Sequence, residues 1–239
     1  MIEIITRIRY PELYSKMQES AQKTASGPVS FSAMFDNGQP KLAETYNLMG
    51  AVAIGDILLF VHDDIVFLSH GWDQKIKDAM ALGFNCVGVT GSKKYEGGMV
   101  FDAGREYSAG RVCGLKDGKR VVRVMEHRAD VEPVKVVDGM LMAVERKHFQ
   151  DTGFDMNFDG LFFYDLDFCL RSKCAVVNAL VSHEKPPHLY GQYPPEMKPM
   201  SHYEPAFNKK HGFGAPFIGD QRCDSIAYEE YVKELAEAK

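Results

Sequence analysis

The residues most able to do chemistry follow an apolar run in LLFVHDDIVFL, residues 58 to 68. The run is typical of a buried strand, yet it continues into His62 and two adjacent carboxylates, Asp63 and Asp64. Burying a charge without a partner is costly, so these carboxylates must lie where the strand leaves the core or must bind a cation. The alternative is that they only cap a turn. Their hard oxygen ligands would favour magnesium or manganese.

A second group of carboxylates lies in FFYDLDFCLR, at the start of a predicted helix. A carboxylate within hydrogen-bond reach of a hydroxyl can take its proton as a general base, which is one explanation for Asp165. The other is a favourable negative charge in the first turn of a helix. Asp167 has a plainer explanation, because Arg171 lies four residues later and the two can pair along the helix. We therefore interpret Asp167 as structural.

A histidine, His183, follows the apolar run CAVVNALVS, which is typical of a final core strand. Its imidazole would emerge at a strand end. A neutral imidazole can bind manganese, whereas magnesium prefers oxygen ligands. The alternative is that His183 only opens a loop, in which His188, His202 or His211 could take its place.

The first 91 residues contain the elements that must position these side chains. Strand-like runs alternate with helical patterns in the order IEIITRI, ELYSKMQESAQ, VSFSAMF, KLAETYNLMGAVA, ILLFV, WDQKIKDAMALGF and NCVGVTG. The alternation predicts an α/β fold with a doubly wound, mostly parallel central sheet, in which ligands bind outside the carboxyl ends of the strands. Asp63 and Asp64 lie at such an end. Trp72, the sole tryptophan, is expected in the core.

The rest of the chain predicts an inserted hairpin, a return to the sheet and a carboxyl-terminal helix. The glycine-rich stretch from 99 to 127 carries a Lys-Asp-Gly-Lys turn at 116–119 between strand-like runs. VEPVKVVDGMLMAVERKHF predicts a buried strand and a helix. Residues 183–211 are rich in Pro, His and Tyr without clear periodicity, which predicts a long loop. SIAYEEYVKELAEAK predicts the last helix.

Composition describes a globular chain and excludes several classes of protein. The chain has 239 residues, of which 45% are hydrophobic and 26% charged, so it can bury a sizeable core. A net charge of −5 and scattered basic residues argue against nucleic-acid binding. Five cysteines without a C-x-x-C pair predict free thiols in a reducing compartment. No apolar run suits a signal peptide or a membrane span, which predicts a cytoplasmic protein.

Five segments, in this order, resemble nucleotide-sugar glycosyltransferases of the GT-A fold, in particular a bacterial glycosyltransferase-like group with an H-D-D metal motif. They are ITRIRYPEL, DNGQPKLAETYN, DILLFVHDDIVFLSHGW, VVDGMLMAVERKHFQDTGFD and FFYDLDFCLR. His62 stands where many relatives have the first aspartate of D-x-D. Tyr164 precedes Asp165 where many relatives have glutamate.

The resemblance implies a metal-dependent glycosyltransferase of the hexosyltransferase type. It would transfer a sugar from a nucleotide-diphosphate sugar to a carbohydrate or other hydroxyl acceptor, with Mn²⁺ or Mg²⁺ stabilising the departing diphosphate. Asp64 is our first choice as a metal ligand, His183 would complete the metal site, and Asp165 matches the catalytic base of the family. One base opposite a metal-bound leaving group suits a single displacement, which inverts the anomeric configuration.

The resemblance also implies a set of residues that bind the donor: Asp36, Asn37, Asn47, Asp63 and Gly139. Asp63 would bind the metal through water or orient the ribose. For Asp36 and Asn37 the alternative is a plain Asx turn, and for Asn47 it is a buried, satisfied side chain. Gly139 would let the sugar or a phosphate approach the backbone, although a tight turn needs glycine equally. Tyr190 and Tyr193 are candidates for sugar contact.

We expect a single domain over residues 1–239, with a nucleotide-binding half (1–91), an acceptor and catalytic half (92–211) and a tail (212–239). Two other functions remain open. A nucleotidyltransferase would share the α/β frame and the metal carboxylates, but it usually has a glycine-rich basic loop after the first strand, and TRIRYPEL has no glycine. A descendant that binds carbohydrate or nucleotide-sugar without turnover would keep the same fold.

Overall fold

Strands and helices alternate through the first third of the chain, as the sequence predicts. The computed structural model describes residues 1–36, 41–125, 129–184, 198–214 and 224–237. Its first elements are β1 (Ile2–Ile8), α1 (Pro11–Thr24), β2 (Val29–Phe35), α2 (Leu42–Val52), β3 (Ile57–Val61), β4 (Ile65–Phe67), α3 (Trp72–Ala81) and β5 (Cys86–Gly88). Helix α1 begins at Pro11, whose fixed φ suits the first helical position, and it buries Leu13 and Met17 on one face. The short strand β4 was not predicted.

The second part of the chain contains the predicted hairpin and then returns to the sheet. Its elements are β6 (Thr90–Ser92), β7 (Ser108–Lys116), β8 (Lys119–Val124), β9 (Val131–Val134), β10 (Val136–Val137), β11 (Leu141–Glu145), α4 (Arg146–Thr152), α5 (Tyr164–Leu170), β12 (Cys174–Val177), β13 (Val181–His183), α6 (Met200–His211), β14 (Asp224–Ala227) and α7 (Tyr228–Glu237). Strands β7 and β8 join at Asp117 and Gly118, whose positive φ angles of 52° and 74° suit a tight hairpin turn.

Helix α6 shows that the predicted loop over 183–211 is wrong for its last part. Tyr203 and Phe207 lie one turn apart and are buried against the core, which stabilises the helix. Pro205, inside the helix, obscures this pattern in the sequence. Residues 185–197 of the predicted loop lie outside the described residues.

The central sheet has seven strands in the order β2-β1-β3-β11-β5-β12-β9. Strands β2, β1, β3, β5 and β12 share one direction, whereas β11 and β9 run the opposite way. With helices packed on both faces, this mostly parallel sheet confirms the predicted α/β class. A second sheet, in the order β10-β6-β7-β13-β4, continues from β7 through β8 to β14. Because β3 belongs to the first sheet and β4 to the second, the HDD segment lies at their junction.

Two apolar clusters cover the faces of the central sheet. The cluster under α2, α4 and α5 contains aromatic rings whose centroids lie 4.9–6.1 Å apart: Tyr46, Phe60, Phe149, Phe154 and Tyr164. The cluster under α1 and α3 contains Trp72, which packs on Phe67 at 4.5 Å and confirms its predicted core position. In the described ranges, no helix has both the length and the apolar character that crossing a bilayer requires.

Candidate active site

The HDD segment forms a tight turn at the carboxyl end of β3. His62 N–H donates to Met140 O at 3.0 Å, and Ile65 N–H donates to His62 O at 3.3 Å. Asp63 and Asp64 are only 7% and 8% exposed. Buried carboxylates need polar partners. The side chains of Asp63 and Asp64 point to opposite sides, as expected for adjacent residues at a strand end, and so contact different parts of the protein.

Asp63 fixes the loop between β1 and α1. Its Oδ2 accepts hydrogen bonds from Arg9 N–H at 2.6 Å and from Tyr10 N–H at 2.7 Å. Burial raises the pKa of Asp63 to about 6, although these two hydrogen bonds act in the opposite direction. Asp63 therefore has a structural role at the ligand-binding edge of the sheet, and its predicted contact with the donor or with a metal-bound water stays a prediction.

Asp64, His62 and His183 form a candidate metal centre. One donor atom from each lies within 4.8 Å of the others. His183 Nε2 lies 3.1 Å from Asp64 Oδ1, and the two imidazole rings lie 5.7 Å apart. The antiparallel pairing of β13 with β4, which sets His183 opposite Ile65, brings His183 to this site. Sequence reasoning did not assign His62 as a ligand, although residues two apart at a strand end share a side.

The electrostatics of Asp64 fit a bound cation. Burial tends to raise its pKa, but the contact with His183 and the charges of His183 and His62 hold the pKa of Asp64 below its usual range. Asp64 Oδ1 is buried and, despite the nearby imidazole, accepts no well-formed hydrogen bond from any residue that the structure describes. A divalent ion would be bound by this oxygen together with the two imidazoles, because carboxylate and imidazole are common ligands of such ions.

Asp165 lies at the start of α5, directly beside Gly139. Its Oδ2 accepts a hydrogen bond from Gly139 N–H at 2.9 Å. A Cβ at position 139 would come within 2.6 Å of this oxygen and of the Tyr164 hydroxyl, so the close approach requires glycine. Burial and the nearby Asp138 carboxylate raise the pKa of Asp165 to about 8. A carboxyl group with this pKa can exchange its proton near neutral pH, which suits a general base.

Tyr164 connects Asp165 to the candidate metal centre. Its hydroxyl donates to Gly139 O at 3.1 Å and lies 3.5 Å from His62 Nε2. The preceding residue, Phe163, has a φ of 68°, which bulky side chains avoid and which costs about 1–3 kcal/mol. Stacking of its ring on Phe207 of α6, at 4.5 Å, offsets this strain. The packing of α6 thus helps to fix the start of the helix that carries Asp165.

Asp167 ties α5 to α6, which agrees with the structural role predicted for it. The residue is fully buried, and Arg171 Nη2 donates to its Oδ2 at 2.7 Å. Its Oδ1 lies 2.5 Å from Lys210 Nζ and 2.9 Å from His211 Nε2. One buried carboxylate therefore holds three side chains: Arg171, which immediately follows α5, and Lys210 and His211 of α6.

We expect Asp167→Ala to lower the free energy of unfolding by about 3 kcal/mol, because the change leaves several cationic groups without the buried carboxylate that they share. Denaturant unfolding measures this loss. Asp155→Ala is the control: it removes the other carboxylate bound by Lys210, together with two hydrogen bonds from Asn157, but no fully buried charge, and should cost less. Equal losses in the two variants would contradict the central role of Asp167.

The other predicted donor contacts are engaged within the protein. Asp36 Oδ1 lies 2.5 Å from Arg7 Nη2. Asn47 binds the backbone of Phe154 twice, since Phe154 N–H donates to its Oδ1 and its Nδ2 donates to Phe154 O, each at 2.9 Å. The structure thus agrees with the alternative of a satisfied side chain for Asn47. The donor contacts of Asp36, Asn47 and Gly139 stay predictions. Three further predicted contacts lie outside the described residues: Asn37, Tyr190 and Tyr193.

The chain is similar to proteins whose solved structures contain a nucleotide or a sugar nucleotide together with Mn²⁺. It matches GalNAc-T7 with UDP, GalNAc and Mn²⁺ at a TM-score of 0.56 and 9% identity, over 77% of this chain and 44% of that one. It therefore spans less than half the length of GalNAc-T7. It also matches the mannosyltransferase PcManGT from Pyrobaculum calidifontis in complex with GDP-Man and Mn²⁺, at a TM-score of 0.49 and 11% identity, over 85% of this chain and 68% of that one. The TM-score of 0.49 is too low to establish a shared fold, whereas the TM-score of 0.56 supports the predicted GT-A fold.

Sequence comparison assigns the family. No curated protein sequence matches the chain. Residues 4–210, however, match the model described as "Glycosyltransferase like family", and this range contains the HDD turn, Asp165 and His183. The chain therefore belongs to the glycosyltransferase-like family, as its motifs predict.

Proposed function

We propose that this chain is a metal-dependent glycosyltransferase that transfers a hexose from a nucleotide-diphosphate sugar to an acceptor hydroxyl with inversion. The observation that carries the proposal is the connection of the Asp64, His62 and His183 cluster to Asp165 through Tyr164. Membership of the family supports sugar transfer. The UDP and Mn²⁺ bound to GalNAc-T7, which shares the fold, support the class of donor and a divalent ion.

A divalent ion would be held by Asp64, His183 and His62. When bound, it supplies positive charge that stabilises the negative charge on the departing nucleotide diphosphate. Two imidazoles beside one carboxylate favour Mn²⁺ over Mg²⁺, because Mg²⁺ prefers oxygen ligands. Asp64 Oδ1, which is buried and lies 3.1 Å from His183 Nε2, is the anionic oxygen that would bind such an ion.

Asp165 would accept the proton of the acceptor hydroxyl as that oxygen attacks the anomeric carbon. Gly139 N–H holds its carboxylate in place at 2.9 Å. The neighbouring Asp138 accepts a hydrogen bond from Met140 N–H, also at 2.9 Å, so the choice of Asp165 rests on its match to the catalytic position of the family. One base suits a single displacement, which is why we propose inversion.

The two halves of the chain that the sequence predicts would have different roles in the reaction. The half over 1–91 supplies Asp63 and Asp64 for the donor and its metal, and the half over 92–211 supplies Asp165 and His183. A cytoplasmic location, expected from the sequence, belongs to the same proposal.

We expect His183→Ala to weaken Mn²⁺-dependent binding of UDP-sugars or GDP-sugars by roughly tenfold or more, because it removes one of three ligands that only the native fold assembles. It should also reduce the preference for Mn²⁺ over Mg²⁺. Isothermal titration with each ion measures both effects. His202→Ala, an exposed histidine of α6, is the control and should bind as the wild type does. Equal Mn²⁺ affinity in wild type and His183→Ala would exclude His183 as a ligand.

A screen of nucleotide sugars with Mn²⁺ tests the proposed function directly. Transfer or slow hydrolysis of a nucleotide sugar is the expected result. Binding without turnover would favour a non-catalytic descendant, and pyrophosphate release from a nucleoside triphosphate would favour a nucleotidyltransferase. The loop after β1 favours a glycosyltransferase over a nucleotidyltransferase. It has no glycine, and the N–H groups of Arg9 and Tyr10 donate hydrogen bonds to Asp63.

A further inference from the structure

A cluster of three cysteines lies in the core beneath the helix that carries Asp165. Cys86 begins β5, Cys174 begins β12, and Cys169 lies in the last turn of α5. Cys86 and Cys174 are directly paired across the two parallel strands. The three sulfur atoms lie within 4.8 Å of one another, and the residues are 0–3% exposed. The proposed transfer reaction uses none of them.

Hydrogen bonds connect the three sulfurs to one another and to the backbone. Val137 N–H donates to the Cys169 sulfur at 3.4 Å. Hydrogen bonds from the Cys169 and Cys86 thiols lower the pKa of Cys174 to about 5. The contact with Cys169 raises the pKa of Cys86, and burial raises that of Cys169. The Cys174 thiol also donates to Cys169 O at 3.4 Å, so the sulfurs contact the backbone as well as one another.

Apolar packing alone explains a solitary buried cysteine, because a thiol behaves as a small hydrophobic group. Cys113, buried in the second sheet, is such a case. Three sulfurs that converge from two strands and a helix have a further property. A metal–sulfur bond of about 2.3 Å places three ligand sulfurs about 4 Å apart around one ion. The observed limit of 4.8 Å is within about 1 Å of that arrangement.

We propose that Cys86, Cys169 and Cys174 form a three-thiolate site for a soft divalent metal ion, of the class represented by Zn²⁺ and Cd²⁺. Thiolate ligands select soft ions over Mg²⁺ and Mn²⁺, so this site and the Asp64 site take different metals. Binding releases the protons that the three thiols carry, because thiolates rather than thiols are the ligands. Three thiolates and a divalent ion carry one net negative charge, which the Val137 N–H partly offsets.

The ion would join β5, β12 and the end of α5. Cys169 lies four residues after Asp165, one turn along the same helix, so the site supports the helix that positions this carboxylate. Its occupation therefore stabilises the folded chain by mass action, whatever the substrate of the protein is.

Cd²⁺ is the probe for this site, because cadmium–thiolate bonds give a charge-transfer absorption in the ultraviolet that imidazole and carboxylate ligands do not. The full chain, kept reduced with a non-thiol reductant, is titrated with Cd²⁺ in the folded state and also refolded in its presence. We expect a thiolate band that saturates at one Cd²⁺ per chain, together with a higher Tm. Absence of the band under both conditions would overturn the proposal.

Single substitutions assign the band to its ligands. Cys86→Ala, Cys169→Ala and Cys174→Ala should each lose most of the absorption, while the control variants Cys113→Ala and Cys223→Ala keep it. Circular dichroism identifies any variant that does not fold, and the remaining variants of the cluster then carry the test. A band that survives in a folded variant of the cluster, or that disappears only with Cys113→Ala or Cys223→Ala, would also overturn the proposal.

Discussion

Asp64→Ala is expected to abolish metal-dependent binding of nucleotide sugars while the protein stays folded. Asp64 is the only carboxylate of the cluster that also contains His62 and His183, so its removal takes away the one anionic ligand of the proposed metal site. The fold should tolerate the change, because the His183 imidazole that the Asp64 side chain contacts is partly exposed, and the hydrogen bond from Glu184 N–H to the Asp64 backbone carbonyl at 2.8 Å is retained. Isothermal titration of UDP-sugars and GDP-sugars with Mn²⁺ measures the loss, and denaturant unfolding measures stability.

Asp56→Ala is the matched control for this prediction. Asp56 immediately precedes β3, at the opposite end of the strand that leads into the HDD turn, and its side chain is 72% exposed. This variant should bind donor and Mn²⁺ as the wild type does. Donor affinity that is unchanged in Asp64→Ala at saturating Mn²⁺ would remove Asp64 from the metal site.

Asp165→Asn should retain donor binding but lower the rate of transfer by roughly a hundredfold or more, because a general base acts only in the chemical step. The amide keeps the size of the side chain and can still accept the hydrogen bond from Gly139 N–H. Single-turnover transfer separates this effect from binding. Asp151→Asn, an exposed carboxylate of α4, is the control. Full activity of Asp165→Asn would exclude it as the base.

The pKa of Asp165 gives this prediction a pH dependence. Wild-type transfer should increase as pH rises toward about 8, where the carboxyl loses its proton, and Asp165→Asn should lack this increase.

The raised pKa of Asp165 also makes the stability of the protein depend on pH. Because burial raises this pKa above the ordinary value of 3.8, the folded state binds the proton more tightly than the unfolded state. The resulting stabilisation is complete below about pH 4 and is lost progressively up to about pH 8. If the free energy of unfolding changes with pH equally in wild type and in Asp165→Asn, this prediction is contradicted.

The sequence by itself determined the features that depend on local pattern. The alternation of apolar strands with amphipathic helices over residues 1–91 fixed the fold class, because the period of the apolar residues follows from backbone geometry. The same logic placed the HDD turn at a strand end and paired Asp167 with Arg171 one helical turn later. The order of the motifs was enough to indicate the family.

The tertiary structure alone decided which distant residues meet. His183 reaches Asp64 because β13 pairs with β4, and the three cysteines meet because β5 and β12 are neighbours under α5. Helix α6 depends on the burial of Tyr203 and Phe207, and the pKa of Asp165 depends on its burial and on Asp138. Each of these features is set by contacts between residues far apart in the chain. The packing of the whole sheet determines such contacts, whereas local periodicity does not encode them.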